Sequence, residues 1–219
     1  MPFELGRPFG VPHDVAFQSR VLQALLDLFE ATSGPVLVDY SEEAPTSELK
    51  EMDGLACPMR FDSLGAEDET LEAAVSREIQ ELQPWYDLAF ERRKRTMVGV
   101  TGLAIEEVAQ TLASWLTSSP PKEIVNGQSP AATLKLAVED LRAFYFEAAA
   151  GQPQGDAIGS KQLSDWFWQE TSAAKLMLVL RDHLIRHDDP AVRMLGHNSV
   201  VPREQWKRFG IDDRWWHKR

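Results

Sequence analysis

The sequence predicts a mainly α-helical fold with a small β element near the N-terminus. Apolar residues recur at helical spacing in several segments of the 219-residue chain. Asp14 and the Ser129-Pro130 pair stand where helix N-termini are expected. Strand signals, by contrast, are few and short. We therefore expect helix over about half of the chain, above the third that is usual in globular proteins.

The first helix is predicted over residues 15–31, between an Asp14 N-cap and a stop at Gly34-Pro35. The β-branched run that follows, residues 35–40, predicts a short strand. One apolar stripe is expected along the helix, made by Val15, Val21, Leu22, Leu25, Leu26 and Phe29.

The later helices follow from the same spacing. Pro84 is expected to break one helix or to open the next, and residues 96–102 are a candidate strand or turn. Residues 160–187 are expected to form the longest helix and to lie against residues 130–150. The helices predicted after the first are 69–82, the segment after Pro84, 105–116, 130–150, 160–187 and a short turn after Pro190.

One domain is predicted over residues 1–219. It would comprise a loop–helix–strand segment (1–40), an acidic loop (41–69) and a helical body with a Trp-rich tail (70–219).

The net charge of −11 argues against nucleic acid and anionic membranes as partners. The clearest basic patch, Arg92-Arg93-Lys94-Arg95, is explained by the preference of cations for a helix C-terminus. No apolar run approaches the ~20 residues of a membrane helix, and no signal peptide is recognisable. The single cysteine excludes an internal disulfide framework. A cytoplasmic protein is expected.

Two places in the chain are candidates for chemistry. His183 and His187 are four residues apart and share a face on a helix, but the Glu-x-x-His pairs of di-metal bundles are missing. We therefore expect no metal and no cofactor. Cys57 has apolar neighbours that predict a buried, inert thiol, with Arg60 as its only local cation. It is the one candidate catalytic residue.

Binding residues are predicted at the two ends of the chain. Arg7 and Phe9 lie in a loop punctuated by glycine and proline that leads into the first helix. In the tail, exposed tryptophans beside arginine and lysine are typical of protein interfaces; these are Trp206, Trp215 and Trp216.

The stretch Leu5-Gly-Arg-Pro-Phe-Gly-Val-Pro12 and the helix after it resemble a segment of the glycine/sarcosine/betaine reductase selenoprotein B family, to which D-proline reductase is related. The matching residues are Arg7, Pro8, Gly10 and Pro12, then residues 17–28 and 36–39. That family's selenocysteine or cysteine centre lies upstream of this segment, so the resemblance assigns no catalytic residue here. It implies a small partner subunit, or a rearranged tail with an added helical domain, rather than a complete reductase.

The leading interpretation is a subunit or accessory protein of a reductase-like complex that acts through contacts with another protein. One alternative is a stand-alone helical binding or adaptor protein, such as an immunity-type inhibitor of a basic target. The other is a helical metalloenzyme that uses His183 and His187. The sequence alone leaves open whether the protein is an enzyme.

Overall fold

The structure is a computed structural model. It describes residues 9–10, 14–42, 59, 61, 70–117, 127–153 and 160–211. Helices make up 67% of this part, so the predicted mainly helical fold is confirmed. No strand lies among the described residues, and 35–40, predicted as a strand, are extended without a described strand partner. The chain divides into two compact units, Met1–Asp53 and Gly54–Arg219.

The described part of the first unit contains one helix followed by an extended segment. Helix α1 spans Val15–Asp27, and a 3-10 turn over Leu28–Glu30 continues it. As predicted, Asp14 caps the helix, because its carboxylate accepts the backbone N–H of Phe17 at 2.9 Å.

The second unit packs seven helices within the described residues. At the start of α4, the Ser129 hydroxyl accepts the Ala132 N–H and Pro130 occupies the first turn, as predicted. In the part of the chain that the structure describes, no helix has the length and apolarity to cross a membrane. The helices are α2 (Leu71–Arg93), α3 (Ile105–Ser114), α4 (Pro130–Gly151), α5 (Ser160–Glu170), α6 (Ser172–Leu184), α7 (Pro190–Asn198) and α8 (Arg203–Trp206).

Helices α2 and α4 form the centre of this second unit. They approach closely at Gly151, where an added Cβ would lie 2.0 Å from the carbonyl oxygen of Trp85. Only glycine allows two backbones to come so near each other. Aliphatic and aromatic side chains from the surrounding helices complete a continuous core, among them Leu82, Leu112, Leu134, Phe144, Phe167 and Leu180.

The prediction of one long helix over residues 160–187 is wrong, because α5 and α6 are separated at Thr171. That residue is extended, and its hydroxyl caps α6 by accepting the Ala174 N–H at 3.1 Å. The N–H of Ser172, the first residue of α6, donates to the buried carboxyl group of Glu78 at 2.7 Å. A capping threonine together with a side-chain acceptor for the next N–H favours a new helix start over continuity. Both helices contact α4, but α6 packs more extensively against α2 and α7.

The longest described helix is instead α2, with 23 residues. Pro84 lies inside it, so the prediction that Pro84 ends one helix or opens the next is wrong. A proline in a helix interior costs about 3 kcal/mol through a lost hydrogen bond and a steric clash. Burial of Leu82 and Ala89 on either side of Pro84 offsets that cost.

Candidate protein-interaction surface

Helix α1 carries two apolar stripes rather than one. The first stripe faces inward: Phe17 and Val21 are buried, and Ala24 and Leu28, on the same side of the helix, are half-buried. At 3.6 residues per turn, these positions follow one another along a single face. This stripe is the one that a surface helix of a globular protein ordinarily buries.

The second stripe faces solvent, and we call it the α1 apolar face. Phe29 is 83% exposed and Leu26 is 56% exposed. The members are spaced at helical intervals on one side of the helix; they are Val15, Leu22, Leu25, Leu26 and Phe29. Together the two stripes span about 200° of the helix circumference, twice the width that a surface helix needs for its own core.

An apolar extended segment follows α1. Leu37 is 96% exposed, and its neighbours Val36 and Val38 are also exposed. Among the described residues, residues 35–39 make no backbone–backbone hydrogen bond. Exposed apolar side chains on an unpaired extended backbone are the features that strand-pairing partners recognise.

The end of this segment is fixed to α1 by a polar clamp. The guanidinium of Arg20 donates to both carboxylate oxygens of Glu42, at 3.1 and 2.5 Å, and the Tyr40 hydroxyl donates to the same carboxylate at 2.9 Å. The Tyr40 ring also packs edge-on against Phe17, with ring centroids 6.4 Å apart. Hydrogen bonds from Arg20 and Tyr40 lower the pKa of the Glu42 carboxyl. The clamp holds residues 40–42 beside the inward stripe of α1.

In the second unit, Asp140 is a fully buried carboxylate with a structural role. Its Oδ1 accepts the N–H groups of Gly99 and Val100, and its Oδ2 accepts the N–H and hydroxyl of Thr101, at 2.6 to 3.1 Å. Residues 96–102, a candidate strand or turn, are therefore a turn, wrapped around one carboxylate of α4. All four contacts are internal, so Asp140 organises the α2–α3 connection.

Glu78 and Tyr145 form a second buried polar pair. The Tyr145 hydroxyl donates to Glu78 at 2.8 Å, and the Ser172 N–H donates to both carboxylate oxygens. Burial raises the pKa of the Glu78 carboxyl, although the hydrogen bonds from Ser172 and Tyr145 act in the opposite direction. Burial also raises the pKa of Tyr145 well above its ordinary value, and the Glu78 charge adds to the shift. Glu78 is 1% exposed, so this pair joins α2, α4 and α6 rather than contacting a substrate.

The two candidate metal-ligating histidines differ in their surroundings. His183 is exposed in the last turn of α6, whereas His187 follows the helix, which ends at Leu184. Nδ1 of His187 accepts the Asp189 N–H at 3.0 Å, and its ring packs against Trp115. Within the described ranges, no group of three or more His, Cys, Asp or Glu side chains is arranged to hold a metal ion.

Among the predicted binding residues, Phe9 is exposed and Trp206 is buried. The expectation that Trp206 is exposed is wrong, because its ring is 6% exposed and its indole N–H donates to the Val201 carbonyl at 3.0 Å. It packs within the hydrophobic core. The other predicted binding residues and the candidate catalytic thiol lie outside the described residues; they are Arg7, Trp215, Trp216 and Cys57.

Sequence reasoning missed the α1 apolar face, although it named the residues. The prediction placed Val21 and Leu22 in one apolar stripe, whereas the structure buries the first and exposes the second. The signal was the width of the apolar arc. An arc of about 200° exceeds what one contact can cover and predicts a second contact.

No protein-family model, curated protein or solved structure shows significant similarity to this chain.

Proposed function

We propose that this protein acts by binding another protein, and that the α1 apolar face is its docking surface. The observation that carries the proposal is the solvent exposure of Leu22, Leu26 and Phe29 on one side of a capped helix. Clustered apolar exposure of this kind marks interaction sites in soluble proteins. A helix with apolar anchors at such intervals is also a common way for one protein to dock on another.

Burial of this face offsets only part of the free-energy cost of association. Full burial of a leucine or phenylalanine side chain contributes roughly 1.5–3 kcal/mol. Scaled by their exposed fractions, Phe29, Leu26 and Leu22 supply roughly 4 kcal/mol. Since association itself costs at least that much, the remaining affinity must come from neighbouring contacts. Among the described residues, the exposed segment around Leu37, which follows α1 in the chain, is one source of such contacts.

The resemblance of residues 5–39 to the selenoprotein B family supports a reductase-like complex as the setting, with the large subunit of such a complex as the partner. The proposed docking helix lies inside the matching segment. An adaptor or immunity-type protein would use the same surface and would differ only in the partner. The identity of the bound protein therefore distinguishes these two functions.

The test is to purify the tagged full chain from its own cells and to identify the co-purifying protein by mass spectrometry. Leu26→Glu places a charge in the α1 apolar face, and Ala16→Glu places the same charge on the exposed polar side of the same helix. We expect one stoichiometric partner with the wild type and with Ala16→Glu, and loss of that partner with Leu26→Glu.

The same three proteins should then be titrated against the purified partner. Equal affinity for both glutamate variants, with each variant as stable as the wild type, contradicts docking through α1. A reductase large subunit as the partner supports the reductase-like complex, and any other protein as the partner supports the adaptor function.

A further inference from the structure

The second unit carries a basic run at the end of α2 that the proposed function does not use. Residues 92–95, Arg-Arg-Lys-Arg, are all exposed, in a chain whose net charge is −11. The helix dipole accounts for cations in the last turn of α2, but Arg95 lies beyond the end of that helix at Arg93. Among the described residues, the side chains of Lys94 and Arg95 form no ion pair or hydrogen bond. Their charges are therefore available to a partner.

Exposed apolar side chains adjoin these cations. Met97 is 76% exposed and Phe90 is 43% exposed. The Lys94 N–H donates to the Phe90 carbonyl at 2.7 Å, so these two residues are neighbours. Arg95 and Met97 are two positions apart, which places their Cα atoms within about 7 Å of each other. We call Phe90, Lys94, Arg95 and Met97 the α2 basic patch.

The backbone of this patch is fixed from inside the protein. The N–H of Met97 donates to the carboxylate of Glu147 in α4 at 2.7 Å. The Thr96 hydroxyl is hydrogen-bonded to the Tyr86 hydroxyl at 2.9 Å, and Asp140 holds the turn that follows. A surface loop that is already ordered loses less conformational entropy when it binds.

The combination of cations with exposed apolar side chains selects among anionic partners. Nucleic acids are held through phosphate contacts and by stacking on aromatic rings, and an aliphatic side chain such as Met97 contributes to neither. A flat anionic membrane that met the patch would also meet the exposed carboxylates that flank it in the sequence, which are Asp87, Glu91 and Glu106. A protein segment a few residues wide can lie between them.

We infer that the α2 basic patch binds an acidic segment of another protein, in which aspartate or glutamate side chains are interspersed with apolar ones. Carboxylates of the segment pair with Lys94 and Arg95, and its apolar side chains contact Phe90 and Met97. Arginine clusters are a recurrent means of recognising acidic motifs. A guanidinium can hold a carboxylate through two parallel hydrogen bonds, which orients the segment. The inference goes beyond the proposed function, because the patch shares no residue with the α1 apolar face.

Three synthetic peptides test this inference by fluorescence anisotropy with the full chain. The salt concentration is about 0.15 M, where charges are screened beyond about 8 Å. The first peptide has pairs of glutamates separated by single leucines; the second has lysine in place of glutamate, and the third has serine in place of leucine. We expect the first to bind at least tenfold more tightly than the second and at least threefold more tightly than the third. General attraction to a chain of net charge −11 predicts that the lysine peptide binds more tightly.

Two matched pairs of variants locate the binding. Arg95→Glu reverses one charge of the patch, and Lys175→Glu makes the corresponding change at an exposed position of α6. We expect the first peptide to bind Arg95→Glu at least tenfold more weakly than wild type, and Lys175→Glu within about twofold of wild type. Met97→Gln keeps the charge and approximate size of the side chain and should weaken binding about threefold. Met194→Gln, at an exposed methionine of α7, should not weaken it.

Other results contradict the inference. Equal affinities of Arg95→Glu and Lys175→Glu for the first peptide, with unchanged thermal midpoints, refute docking at the patch. Tighter binding of the lysine peptide, or no binding of the first peptide, refutes the acidic partner, and equal binding of the two glutamate peptides refutes the apolar contact. A single-stranded oligonucleotide or phosphatidylserine vesicles that bind more tightly than the first peptide, and lose binding in Arg95→Glu, would assign the patch to another polyanion. Each of these failures leaves docking through α1 intact.

Discussion

Replacing Asp140 with asparagine should cost about 3 kcal/mol of unfolding free energy. The carboxylate accepts four hydrogen bonds from Gly99, Val100 and Thr101, two on each oxygen, and is fully buried. The amide of asparagine keeps one acceptor oxygen, and its NH2 group replaces the other, so that at least one backbone N–H loses its acceptor and faces a donor instead. Each hydrogen bond to a charged group contributes about 1.5–3 kcal/mol. Two are lost, and part of this loss is offset because a neutral side chain is easier to bury.

Urea unfolding followed by far-ultraviolet circular dichroism measures this cost. The matched control is Glu139→Gln, the same chemical change at the preceding residue of α4, where the carboxylate is exposed and only 3.7 Å from Lys135 in a surface ion pair. The control should change stability by less than about 0.5 kcal/mol. If Asp140→Asn and Glu139→Gln unfold within about 1 kcal/mol of each other, the turn around residues 96–102 does not depend on Asp140, and the reasoning fails.

Three further changes test other parts of the structure. Burial raises the pKa of Glu78 above its ordinary 4.5, so the stability that Glu78 contributes is complete below pH 4.5 and is lost as the pH rises through the folded pKa. The difference in unfolding free energy between wild type and Glu78→Gln, measured in urea, should therefore shrink from pH 4.5 to neutral pH. A constant or growing difference would contradict this. Gly151→Ala should lower the free energy of unfolding by roughly 3 kcal/mol, because the new Cβ overlaps the Trp85 carbonyl oxygen. An unchanged thermal midpoint would show that α2 and α4 move apart to admit the methyl group at no cost. Phe29→Ala should weaken partner binding about 30-fold, or ~2 kcal/mol. The thermal midpoint should not change, because the ring is 83% exposed in the free protein. Isothermal titration against the purified partner checks this, and binding as tight as that of the wild type would show that Phe29 lies outside the interface.

Local signals in the sequence were sufficient for most of the fold. Asp14 and Ser129 cap helices as predicted, because an N-cap acts on N–H groups within three residues along the chain. The start of α3 at Ile105 and the start of α7 at Pro190 also follow from local spacing and capping. Helix starts and caps depend on residues a few positions away along the chain, so the sequence is enough to predict them.

The errors in the fold prediction have a common cause, which is contact with distant residues. The break between α5 and α6 depends on Glu78, which is 94 residues from Ser172 along the chain. The continuity of α2 through Pro84 depends on core packing on both sides of the proline. The burial of Trp206 likewise depends on the helices that surround it. No local pattern contains this information.

The candidate surface was partly predictable in the same sense. The apolar residues of α1 and the extended run after them are visible in the sequence. Which residues face inward depends on the contacts of Phe17 with Tyr40 and of Arg20 with Glu42. These contacts join residues more than 20 positions apart and leave Leu26 and Phe29 on the outer side.

Site-specific photo-crosslinking in living cells tests the central claim most directly, namely that α1 docks on another protein. A benzophenone amino acid is placed at residue 26, in the α1 apolar face, or at residue 16, on the polar side of the same helix. Docking predicts a single crosslinked product at residue 26 that contains one other protein, and little or no product at residue 16. No product at residue 26, equal products at both positions, or a crosslink confined to the chain itself would contradict the proposed function.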